Sequence, residues 1–307
     1  MKQRLRPILW LLLREYLEHR RLWALAIGLG LAIIALDLAL SLGGQAPAGG
    51  LHVMYHSTRA LESVSGNRTG THMIGSLAAL GGYDLLLNTI AVLFALTLAV
   101  ALFSYGLACL YDERRDRSLL FWKSLPISDA QCVAAKAITG LAVLPLVYAV
   151  TGLTTVWAAW AINIGLPMTA GPTPPMTAAR LVGFSALVLG VLPVYAISLT
   201  PGLGWLMLCS AAVRRHPAII ALGMPLLCAL LNVFGLPNPI WHWVAAPLVP
   251  AGVGHALQSI EAGQAPATAL AWVYQPMSQP DPWGGVILGL AFLAAATYCR
   301  RRHAVLA

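Results

Sequence analysis

Few residues of this chain are equipped for chemistry. His52-x-x-x-His56, with Glu62 and His72 beyond, has the spacing that puts two imidazoles on one helix face, where they could ligate a metal. No HExxH run accompanies them, and they sit in a polar, Gly-rich connection, so an exposed pair is preferred and no metal is expected. Ser185, in Gly183-Phe184-Ser185-Ala186, would need a histidine to activate it; His216 and His242 fall at expected helix ends. Asp37 stands inside an apolar block. A carboxylate at that depth is costly and marks a site by default, unless it snorkels to the interface or caps a neighbouring helix; no basic partner is visible within the apolar blocks. Asn88, Asn163 and Asn232 lie nearer block ends. No GxxxxGK[ST] run exists, and the only lysines are Lys2, Lys123 and Lys136, so the chain has no phosphate cradle of its own.

The elements that carry these residues are set by composition. Hydrophobic residues make up 59% and charged residues 10%, against roughly 25% charged in a soluble domain. Apolar blocks long enough to cross a bilayer as helices recur along the chain, because a helix alone satisfies its backbone where no water is present. The expected fold is an all-α integral membrane protein with six spans, at about 22–42, 85–110, 131–164, 178–213, 218–234 and 283–299. The fifth is the shortest block. Residues 1–21 alternate basic and apolar positions at helical spacing and should lie flat in the interface, apolar side down. No small-residue cleavage site follows, so the first block is expected to be retained as a span. Pro145 should kink the third span, and Pro193 with Pro201-Gly202 should bend or break the fourth. Residues 236–282 hold many prolines and Trp241, Trp243, Trp272 and Tyr274 without Lys or Arg, which fits short helices dipping into the outer membrane face.

Charge gives orientation and excludes other classes. All but Arg59, Arg68 and Arg180 of the 19 basic residues lie on alternate connections, which places both termini in the cytoplasm. The net charge of +8 is carried by residues flanking apolar blocks and forms no stripe on a polar surface, so contact with anionic lipid is expected and nucleic acid is not. Cys109, Cys132, Cys209, Cys228 and Cys299 lie in or beside apolar blocks without CxxC spacing and read as packing residues.

The most charged run is Asp112-Glu113-Arg114-Arg115-Asp116-Arg117, followed by Ser118-Leu119-Leu120-Phe121-Trp122 and then Ser124-Leu125-Pro126-Ile127-Ser128. Residues 111–130 therefore form an amphipathic cytoplasmic element, read either as a lipid-anchored loop or as a docking helix for a soluble partner. Ser128 and Gln131 have capping-box spacing just before the next apolar run.

Glu113-Arg114, Arg117-Ser118-Leu119-Leu120, Ser124-Leu125-Pro126-Ile127-Ser128 and the later Lys136 together resemble the loop after the second span in permease subunits of ABC-2 type transporters, with Arg117 where that family usually has Gly. The span count, flat N-terminal helix and long segment before the last span resemble that family too. The resemblance implies that this loop docks into a separate ATPase subunit, through Asp112, Glu113, Arg114, Arg115, Arg117, Leu119, Leu120, Phe121, Trp122, Leu125 and Pro126. It also implies a second permease copy or a paralogue, ATP and Mg held by the partner and not by this chain, a bacterial inner-membrane location and export. Apolar spans favour an amphipathic, lipid-like or peptide cargo. The rival readings are an intramembrane serine protease of rhomboid type using Ser185, although the second Gly of the Gly-x-Ser-Gly motif is absent, and a membrane anchor or assembly factor without transport.

Overall fold

A computed structural model describes residues 11, 14–15, 17–42, 82–115, 128–165, 177–213, 216–234, 253, 255–256, 259 and 264–303. No strand occurs among them. The helices are α1 (Arg20–Leu42), α2 (Gly82–Arg115), α3 (Asp129–Ile138), which runs through a π-turn at Thr139–Val143 into α4 (Leu144–Gly165), α5 (Ala178–Ala212), α6 (Pro217–Val233), α7 (Pro266–Tyr274) with a 3-10 turn at Gln275–Ser278, and α8 (Pro280–His303). Among the described residues, five stretches are long and apolar enough to cross a membrane: Arg20–Ala39, Thr89–Arg115, Asp129–Ile162, Ala178–Ala212 and Pro282–Arg302. The chain is thus an all-helical protein of multi-pass membrane character. The block expected as a further span is α6, with 17 residues, about 26 Å long and just short of the hydrocarbon core.

Local sequence explains the helix limits. Ser128 caps α3: its hydroxyl accepts from the Gln131 N–H at 3.2 Å, and the Gln131 side chain accepts from the Ser128 N–H at 3.0 Å. The helix accordingly starts at Asp129. Pro145 does not simply kink the span. It has no N–H to offer the Leu141 carbonyl, and the preceding turn widens to π, with the Leu144 N–H bonding Thr139 O. Pro193 and Pro201 do not break the fourth span: α5 continues through both. Side chains bond carbonyls close to both prolines: Tyr274 Oη donates to Gly190 O at 2.9 Å, and Thr200 Oγ1 donates to Ala196 O at 2.9 Å.

The chain forms two compact units. One comprises Met1–Trp23, Leu98–Val147 and Gly183–Ala307; the other comprises Ala24–Thr97 and Tyr148–Val182. In the first, α5 and α8 touch backbone to backbone. A methyl on Gly204 would stand 2.7 Å from Gly289 O, and one on Gly289 would stand 2.6 Å from the Thr200 carbonyl. Contacts between small residues are how apolar helices associate without a hydrophobic driving force. The α7 residues Ala269 and Val273 pack with Leu187, Val194 and Ala256 in the same unit. In the second unit, Gly30 approaches Thr155 and Gly152 approaches the Phe94 ring, Trp157 and Trp160 meet edge to face, and Asp37 is buried.

Candidate functional site

The first unit gathers seven charged residues into a cluster with a buried centre, drawn from the N-terminal segment, α2, α3 and α8. Glu113, on the last turn of α2, is its hub. Its Oε2 accepts from Arg300 Nη1 at 2.7 Å, and its Oε1 stands 3.3 Å from both Lys136 Nζ and Arg14 Nη2. Lys136 Nζ also reaches Glu15 Oε1 at 2.7 Å. Arg300 Nε reaches Asp129 Oδ1 at 3.0 Å, and Arg14 Nε reaches Glu18 Oε1 at 2.6 Å. Glu15, Glu113, Lys136 and Arg300 each keep 5% or less of their side-chain surface exposed. Charges held this dry persist only because each meets an opposite charge and further hydrogen bonds.

Two aromatic groups close one side. The Tyr105 hydroxyl donates to Lys136 O at 3.0 Å and lies 3.2 Å from Glu15 Oε2. The His19 ring packs edge to face on Tyr105, with centroids 4.9 Å apart, and its Nε2 is 3.6 Å from Glu15 Oε2. Burial lowers the His19 pKa, partly opposed by the Glu15 carboxylate. Glu15, Glu18 and His19 bring possible metal-ligand atoms within 4.8 Å of one another. Lys136 and Arg14 already stand against those carboxylates, so the protein's own cations supply the positive charge there.

Arg114, the neighbour of the hub, serves a different helix. Its guanidinium donates to Ser210 O and, at 2.9 Å, to Val213 O, capping the C-terminal carbonyls of α5. Ser210 Oγ returns the contact. It donates to Leu107 O at 2.7 Å and accepts from Tyr111 N at 2.8 Å, bridging an i, i+4 pair of α2. Adjacent residues Glu113 and Arg114 thus fasten α2 to α8 and to α5.

The sequence-predicted site residues separate. Asp112, Glu113, Arg114 and Arg115 belong to the last turn of α2, which runs past the apolar block to Arg115. Asp112 and Arg115 are exposed, whereas Glu113 is buried and Arg114 half-buried. Arg117, Leu119, Leu120, Phe121, Trp122, Leu125 and Pro126 lie outside the described residues, as do His52, His56, Glu62, His72 and His242. Ser185 is half-buried near the start of α5, and His216 follows that helix's far end. At 1.5 Å per residue roughly 40 Å of helix lies between them.

Glu15, Arg14, Asp129, Tyr105 and Arg300 carry no motif. Leu11 and Glu15 share a buried face, Leu11 packing on Cys132 and Ala135, while Leu17 is exposed. The available signal was Lys136. A lysine two turns into an apolar helix requires a carboxylate partner. No protein-family model, curated protein or solved structure matches this chain.

Proposed function

We propose that this chain is the membrane-spanning permease subunit of an ABC-2 type transporter in the bacterial cytoplasmic membrane. It crosses the bilayer six times, α6 included, with both termini inside. It pairs with a second copy or a paralogue, and two copies of a separate ATPase supply energy through residues 111–130. The cargo is amphipathic, lipid-like or a peptide, and its direction is outward. The protein is not itself an enzyme and binds no cofactor.

One observation supports this reading above the rest. Glu113 and Lys136, the acid and the lysine of the loop resemblance, stand 3.3 Å apart. The chain between them therefore leaves and returns at one buried cluster. That cluster also holds α8 through Arg300 and the N-terminal segment through Arg14 and Glu15. A partner pushing on the intervening residues would act on four elements at a single point, and such packed elements switch between discrete arrangements.

The test is co-purification of the full-length chain with the ATPase encoded beside it, followed by ATPase assay in reconstituted vesicles. Stable co-elution with stimulated hydrolysis is expected. Phe121→Ala or Trp122→Ala should weaken binding, since buried aromatic anchors dominate such interfaces at roughly 2 kcal/mol or more each. Arg115→Ala should act mildly, as a rim charge. A chain that never associates with the ATPase, or aromatic variants that bind and stimulate like the parent, would overturn the reading.

A further inference from the structure

The basic residues around the cluster divide into two classes that sequence does not distinguish. Arg14, Lys136 and Arg300 turn inward onto carboxylates, and Arg114 onto the carbonyls of α5. Arg20, Arg21, Arg115, Arg301 and Arg302 are exposed, and none makes an ion pair with a described residue. All five belong to the same unit. Arg115 follows the hub Glu113 by half a turn, Arg301 and Arg302 directly follow Arg300, and Arg20 and Arg21 come within two turns of Glu15. The cluster therefore draws the ends of α1, α2 and α8 together and leaves five guanidinium groups facing outward. The described acids that face outward there are Asp112 and Glu18, and Glu18 is held by Arg14.

Position selects the partner. Each of these arginines stands where an apolar span ends: Arg20 and Arg21 open the first, Arg115 closes the second, and Arg301 and Arg302 close the last. Tyrosines accompany them. Arg302 stacks over the exposed Tyr298 ring at 5.0 Å, and Tyr111 lies half-buried on the last turn of α2. Guanidinium and phenol groups at that depth meet phosphate on one side and acyl chain on the other. We infer that the outward arginines form a docking surface for anionic phospholipid headgroups of the leaflet at this end, while the inward bases serve only the fold. A soluble acidic protein would not need its contacts placed at span boundaries.

The experiment uses the full-length protein in detergent, offered phosphatidylglycerol and phosphatidylcholine in equal amounts, with retained lipid read by native mass spectrometry. The parent should retain phosphatidylglycerol preferentially, and less so as salt screens the charges. The pair Arg301→Gln with Arg302→Gln, and separately Arg20→Gln with Arg21→Gln, should each lower that retention by about tenfold or more, since one basic group near an anionic surface contributes roughly a factor of five. Arg180→Gln removes a single charge from the other unit and should leave retention unchanged, whereas Arg301→Gln alone should lower it by about fivefold. Circular dichroism and gel filtration should show all variants folded. Four results would overturn the inference: retention unaffected by the arginine pairs, equal loss in Arg180→Gln, displacement of the lipid by soluble glycerol phosphate, or unchanged lipid retention with lost binding of a soluble partner.

Discussion

Glu113 Oε2 and Arg300 Nη1 meet at 2.7 Å across 187 positions of sequence, joining the end of α2 to the end of α8. An isolated pair would be restored by exchanging its charges. Glu113 also faces Lys136 and Arg14, so a lysine there would stand among like charges. Glu113→Gln should lower stability by about 3–5 kcal/mol. The exchange Glu113→Lys with Arg300→Glu should fail to recover it, as read by thermal unfolding in detergent. Full recovery would mean that the pair acts alone.

Lys136 neutralises two carboxylates, Glu15 and Glu113. Lys136→Met should therefore cost about 3–5 kcal/mol, because removing one partner leaves buried charge uncompensated. Adding Glu15→Gln to that variant should return part of the loss. Unfolding midpoints of the single and double variants decide it, and a double variant less stable than the single would contradict the assignment.

His19 makes the fold sensitive to acid. Its folded pKa lies below the ordinary value of about 6.5. As pH falls, the unfolded chain takes up this proton first, so stability is retained above about pH 7 and lost progressively from about 6.5 down through the folded value. His19→Gln should flatten that slope in unfolding curves recorded between pH 8 and pH 5. An unchanged slope would assign the acid sensitivity elsewhere.

The Gly204–Gly289 crossing has backbone on both sides, which cannot step aside for a methyl. Gly289→Ala should cost about 1–3 kcal/mol. Gly28 and Gly223 face open space in this chain, and alanine there should change stability by no more than about 0.5 kcal/mol. Equal costs at Gly289 and Gly223 would remove the crossing from the packing argument.

Whether α6 spans decides the side of the C-terminus. Five spans put the termini on opposite faces and six put them on one. Cysteines introduced at Ser118 and Ala304 should both be shielded from an impermeant reagent added outside, while one at Gln264 should be reached. Labelling of Ala304 from outside would leave five spans.

Five helices of span length were legible because period and length alone define them in lipid, and the Ser128–Gln131 cap because it is local. The buried cluster was not, apart from Lys136. Glu15 meets Lys136 across 121 positions and Arg14 meets Glu113 across 99, and nothing in the local pattern of either residue distinguishes a solvated charge from a paired one. The continuity of α5 through Pro193 and Pro201 was not legible either: local sequence offers a break there, and the helix runs on.

In evolutionary terms, the π-turn at Thr139–Val143 is one surplus residue. Deleting it would rotate the residues that follow by about 100° and turn Leu144, now fully buried, out of its packing. A relative with proline at the position of Pro145 should therefore keep the extra residue, and one without that proline has no need of it. Insertion and proline should come and go together, leaving a one-residue gap where such sequences are aligned.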